Sequence, residues 1–148
     1  RISDLRKKLV TPDRSRLAYA ITGEHLYRLV VRADTAALLR TSNKGLADAV
    51  KVLNDAVVSR DPASYTRSAH ALYQLAFGPV AELLTTRRLL IIPDGALHTV
   101  NFEVLLDAPC TPADFREHLL IKRYAIAYLL SATTVSYTHL TLPTSDLV

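Results

Sequence analysis

The chain's one thiol, Cys110, is its strongest nucleophile, and it sits in Ala108-Pro109-Cys110-Thr111-Pro112. A catalytic cysteine needs a base within hydrogen-bond reach and usually lies at a strand end or a helix N-terminus. Two flanking prolines predict a surface loop and an incidental thiol. No Gly-x-Ser-x-Gly elbow occurs, so a serine hydrolase is unsupported. Of the five histidines, His25 falls in a predicted turn, His70 on a predicted helix, His118 ahead of a predicted strand and His139 near the C-terminus. No two of them are spaced at i, i+3 or i, i+4, which gives a metal site little support. His98, three residues after Gly95, could serve as a base, but a polar residue in a turn is the simpler reading. Asp94 and Glu103 could form a carboxylate pair for acid–base work. Local structure explains each more cheaply. Asp94-Gly95 suits a tight turn, with the carboxylate accepting a backbone N–H and glycine taking positive φ. Glu103 suits the first turn of a helix, where the macrodipole favours negative charge. The four glycines are widely separated, so a phosphate cradle is missing. No catalytic, cofactor-binding or metal-binding residue is therefore assigned, and no cofactor is expected.

The elements that would position these residues follow from periodicity. Ile2, Leu5 and Leu9 lie at i, i+3, i+7 and predict the end of an upstream helix or linker over residues 1–12, broken at Thr11-Pro12. Residues 17–21 and 26–31 predict a hairpin around Thr22-Gly23-Glu24-His25, its second arm apolar enough for burial on both faces. Two helices should follow. The first carries Leu46, Val50, Leu53 and Val57 on one face. The second starts at Asp61-Pro62, an N-cap followed by proline at the first helical position, and carries Tyr65, Ala69, Leu72, Tyr73 and Ala76. Gly78-Pro79 should kink or restart it. Leu89-Leu90-Ile91-Ile92, stopped by Pro93-Asp94-Gly95, predicts a central parallel strand covered on both faces. Residues 100–106 predict a short helix, 107–112 a loop and 124–130 a second strand, with Ser131 capping a further helix. This order is that of an α/β layered domain.

Composition limits the function classes. The 148 residues are 49% hydrophobic and 22% charged, as in a folded domain. A chain of this size buries roughly 68–70% of its unfolded surface, enough for one core. A single Cys allows no internal disulfide, no apolar run approaches the ~20 residues of a membrane span, and no signal-peptide core opens the chain. A cytoplasmic location without membrane contact is the expectation. The net charge of +4 is scattered, its longest basic run being Arg6-Lys7-Lys8, so nucleic-acid binding is disfavoured. Such a binder would show affinity that falls steeply with salt. The chain has no Met and opens on Arg1, and it is expected to be a piece of a longer protein.

Several spaced motifs resemble the CHAT domain, a caspase-like, clan CD cysteine peptidase family often joined to tetratricopeptide repeats. They are Leu89 to Leu97, then Val100-Asn101-Phe102-Glu103-Val104-Leu105, then His118-Leu119-Leu120-Ile121, and Tyr124 to Tyr128 before Ser131-Ala132-Thr133. The hairpin and the Ala71-Leu72-Tyr73-Gln74-Leu75 helix leading to Pro79 are similar to the family's N-terminal part. Asn101 and Leu130 stand where the family usually has proline, a difference of turn stiffness rather than chemistry. The resemblance implies that residues 13–134 are the N-terminal part of a CHAT-like domain, in which an incomplete caspase-like α/β sheet with covering helices follows the hairpin and two helices. It also implies peptide-bond hydrolysis by a Cys–His dyad lying downstream, in motifs that neither His98 nor Cys110 matches. The chain itself is then expected to be inactive, and its parent to be a bacterial peptidase with upstream tetratricopeptide repeats. The expected partners are a protein substrate or a regulatory protein. The alternative is a non-catalytic CHAT-like interaction or scaffold module. Residues 135–148 resemble the translation, in one frame, of a widely used transposase sequencing adapter, and a non-native tail is expected there.

Overall fold

A computed structural model describes residues 13–130. The upstream helix read from Ile2, Leu5 and Leu9, the Ser131 cap, His139 and the 135–148 tail lie outside the described residues.

The hairpin forms as its turn residues require. Strand β1 (Arg14–Thr22) and strand β2 (His25–Val31) are antiparallel, pairing Thr22 with His25 around a two-residue turn. Gly23 takes the first central position at φ 56°, where a side chain would be strained. A third strand, β3 (Ala36–Ser42), adds antiparallel to β2, which the sequence reading lacks. Its segment Ala-Ala-Leu-Leu-Arg-Thr-Ser has one β-branched residue, so pairing with β2 overrides a weak local preference.

Helix α1 (Leu46–Ser59) buries Leu46, Val50, Leu53 and Ala56. Val57, expected to extend this stripe, is 53% exposed, and Ala56 takes the inward place. Helix α2 (Pro62–Ala76) opens on Asp61, whose side chain accepts from the Ser64 N–H at 3.2 Å. It buries Ala69, Leu72, Tyr73 and Ala76 as its spacing predicts. After Gly78-Pro79 the chain restarts as a 3-10 turn over Gly78–Leu83.

Strand β4 (Arg88–Ile92) then runs parallel to β1, and β5 (Ala125–Tyr128) parallel to β4. The sheet is mixed, in the order β3-β2-β1-β4-β5, and the molecule is of the α/β class. One face of the sheet, carrying Leu17, Tyr19, Leu26, Val30, Leu89 and Ile91, forms a single core with both helices. The covering is one-sided along β2, contrary to the sequence expectation: Leu29 is 40% exposed on the outer face. On β4, Leu90 is half-buried while Leu89 and Ile91 are enclosed. Between β4 and β5 lie short 3-10 turns at Gly95–Thr99, Phe102–Val104, Phe115–His118 and Leu120–Lys122, with a single bridge from Leu106 to Leu119.

Candidate functional site

Strands β1, β4 and β5 are parallel, so their carboxyl ends collect at one end of the sheet, the place where open α/β sheets put their ligands. Pro93-Asp94-Gly95 leaves β4 here. The β1–β4 ladder stops at Ala18 and Ile92, and beyond it Asp94 Oδ2 accepts the backbone N–H of Ile21 at 2.7 Å. A carboxylate thus continues the ladder where the main chain turns away. Gly95 sits at φ 54°, and a Cβ there would meet Ile21 Cδ1 at 3.0 Å. Gly95 takes the positive φ read from the sequence, whereas the Asp94 carboxylate caps no amide of its own turn and accepts across the sheet instead.

The next turn is capped by Asn101, whose Oδ1 accepts the Glu103 N–H at 3.1 Å. This explains how the fold accommodates Asn where proline was expected: a side-chain cap replaces a fixed φ. Glu103 and Tyr128 then meet. The Tyr128 hydroxyl oxygen accepts the Phe102 N–H at 3.1 Å, and its proton goes to Glu103 Oε1 at 3.2 Å. Burial pushes the Tyr128 phenol up to about 12, and the Glu103 carboxylate adds to the shift. At neutral pH Tyr128 is therefore a donor. Residues Pro93, His98, Asn101, Glu103, Tyr128 and Leu130 line a cleft of about 340 Å³ at this end. His98 is exposed on its rim and has no hydrogen-bond partner among the described residues. Asp94 and Glu103 have different partners, so the structure does not join them as an acid–base pair.

The second group of reactive residues surrounds Cys110. The thiol is half-buried at the core margin, and burial pushes its pKa up, with Asp114 and Asp107 adding to the shift. Both carboxylates are held by other groups. Asp114 Oδ1 accepts the Thr111 N–H at 2.7 Å and hydroxyl at 3.0 Å. Asp107 faces His118 Nδ1 at 3.3 Å and accepts from Arg123 Nη1 at 3.2 Å. An Asp–His pair is half of a nucleophile-activating set. The thiol is not part of it: the one side-chain hydrogen bond of His118 runs from Nδ1 to Asp107, and Cys110 makes none to either ring nitrogen. The sequence reading gives Asp107, Arg123, Tyr65 and Tyr128 no chemical role. Asp107 and His118 are brought together by the Leu106–Leu119 bridge, which no helical spacing reveals. Tyr65 donates to the Val104 carbonyl at 2.6 Å, and burial pushes its phenol up to about 12.

The other histidines have structural surroundings. His70 Nδ1 is 3.1 Å from the Leu106 carbonyl oxygen with its ring stacked on Tyr73, and His25 lies against the Tyr27 ring. Among the described residues no three His, Cys, Asp or Glu side chains converge as metal ligands, and no helix is long and apolar enough to cross a membrane.

A family model described as CHAT domain matches residues 66–145, more than half of the chain. The matched stretch runs from within helix α2 past β5 and contains Asp94, Glu103, Tyr128, Asp107, Cys110 and His118, while Ile21 and Tyr65 lie before it. No curated protein matches the chain.

Proposed function

Because the chain belongs to the CHAT domain family, which is caspase-like and peptidase-related, we propose that it is the N-terminal part of a cysteine peptidase domain whose Cys–His dyad is supplied by later residues. The observation that carries this reading is the state of Cys110. A peptidase nucleophile needs a lowered pKa and a base to take its proton. Among the described residues Cys110 makes no hydrogen bond to an imidazole or any other base, and burial with two nearby carboxylates raises its pKa rather than lowering it. The part played by residues 88–128 is then architectural: β4 and β5 supply parallel strands, and the Asp94–Ile21 and Tyr128–Glu103 contacts hold their carboxyl ends. A cytoplasmic bacterial parent with tetratricopeptide repeats upstream, acting on a protein substrate, completes the proposal.

Incubation with an electrophilic cysteine-peptidase probe and a fluorogenic peptide library tests it. The expected result is no turnover and no labelling beyond ordinary alkylation of Cys110. Turnover lost in Cys110→Ser would overturn the reading. Reading the parent's downstream frame separates the peptidase from a scaffold: a His-Gly motif followed by a strand-end Cys supports the former, and the lack of both supports the latter.

A further inference from the structure

The corner between α1 and α2 carries an arginine where its geometry favours glycine. The Arg60 N–H donates to the Val57 carbonyl at 3.3 Å and the Asp61 N–H to the Ala56 carbonyl at 3.1 Å. This is the Schellman pattern, in which the residue at the place of Arg60 takes the left-handed conformation and is usually Gly. Arg60 takes it at φ 54°, the one non-glycine residue with positive φ among the described residues. Its side chain costs backbone energy that a glycine would spare.

That side chain lines a groove of about 810 Å³, walled by Val57, Val58, Tyr65, Phe115 and Arg116. Val57 is 53% and Val58 83% exposed, so the α1 wall is open to solvent. Tyr65 and Phe115 meet edge to face at 5.5 Å, giving the groove a rigid aromatic side. Arg116 lies over the Phe115 ring at 5.2 Å from its centroid. Neither Arg60 nor Arg116 has a carboxylate or other acceptor for its guanidinium among the described residues. The groove's one carboxylate, Asp61, is engaged at the α2 cap, accepting from the Ser64 N–H at 3.2 Å and hydroxyl at 2.8 Å.

We propose that this groove binds a short segment of a protein partner that sets apolar side chains on Val57, Val58 and Phe115 and an acidic side chain on Arg60 or Arg116. Two unneutralised guanidiniums beside an apolar surface select a carboxylate carried on an apolar segment, because the fork of donors matches it. The open wall favours a peptide over a small acid, since small-ligand pockets enclose most of the ligand's surface. This role is independent of peptide-bond hydrolysis.

Selection from a phage-displayed random-peptide library on the full chain, with counter-selection on Arg60→Gly, tests the proposal. The expected peptides pair apolar residues with Glu or Asp. Fluorescence polarisation with them should show affinity reduced roughly tenfold or more by Arg60→Gly, by Arg116→Ala and by Val58→Glu, as for the loss of one charged interface contact. Arg60→Gly should melt at the same or a higher temperature, which separates lost binding from lost folding. The proposal is overturned if no peptide is enriched, if the enriched peptides are basic, or if they bind Arg60→Gly equally. Two further results would also overturn it in the absence of enriched peptides: saturable binding of lauric acid, showing a small amphipathic anion, or a dimer abolished by Val58→Glu, showing self-association.

Discussion

Tyr19 and Arg28 face each other across β1 and β2, and both donate to the carbonyl oxygen of Ala76 at the end of α2, at 3.0 and 2.8 Å. Arg28 also donates to the Leu75 carbonyl and to Thr41 Oγ1, and its residue is fully buried. Burial lowers its pKa, yet no carboxylate accompanies it among the described residues. The helix end takes that place. Its last carbonyls lack intrahelical donors, and the macrodipole puts partial negative charge there.

Replacing Arg28 with Met should therefore cost about 2–3 kcal/mol, the range for losing charged hydrogen bonds and leaving buried carbonyls bare. Arg28→Lys should fall between, since an ammonium does not reproduce the guanidinium fork. Tyr19→Phe should cost about 1 kcal/mol. Urea unfolding of the single and double variants should show non-additivity, because both side chains share one acceptor. An unchanged urea midpoint for Arg28→Met would remove its capping role.

At the β4 end, Asp94→Ala should destabilise by about 1–3 kcal/mol by stripping the Ile21 amide of its acceptor. Asp94→Asn keeps an oxygen at the same place and should lose less. Faster hydrogen exchange confined to the Ile21 amide and its neighbours would locate the effect. Gly95→Ala should cost about 1–2 kcal/mol, mainly from the positive φ, because Ile21 Cδ1 is the movable end of a side chain.

Cys110 should react with iodoacetamide more slowly than a free thiol at mildly alkaline pH. Its pKa is raised, so less thiolate is present at any given pH. Asp107→Asn and Asp114→Asn should each speed the reaction by removing a negative neighbour. A rate above that of a free thiol would show an activated cysteine.

Alkaline pH should unfold the protein through its tyrosines. Burial raises the phenols of Tyr19, Tyr73 and Tyr124, and those of Tyr65 and Tyr128 to about 12. Between the unfolded value near 10 and these folded values, the folded state holds more protons than the unfolded state. Stability is thus fully present below about 10 and lost as pH rises through the folded values. Urea midpoints across this range should fall, and phenolate absorbance should rise together with unfolding. Tyr19→Phe should make the decline shallower.

The sequence made some of this legible because the controlling contacts are local. Asp61-Pro62 announces α2 because a cap acts within three residues, and Leu89-Leu90-Ile91-Ile92 announces a central strand by being apolar without interruption. Strand β3 was hidden because its stabilising partner is β2 and its own residues favour no state strongly. The inner position of Arg28 on β2 was hidden because its acceptors are 47 and 48 residues away, on another element. At the candidate site, Asp94, Glu103 and Cys110 could each be picked out by type. Their surroundings could not, since Ile21, Tyr128 and the Asp107–His118–Arg123 set are assembled by tertiary folding.

Strand β1 also imposes an order on assembly. One of its edges meets β2 across a two-residue turn, while the other joins Arg14 to Arg88, after both helices have intervened. Hairpins close within about 1–10 μs, whereas distant strands must first bring together a long loop. A nascent or refolding chain therefore passes through an interval in which the meander exists and the β4-facing edge of β1 is a bare ladder of amides and carbonyls. That interval, rather than the finished sheet, is when pairing between separate molecules competes with folding, and when a chaperone would protect the product most.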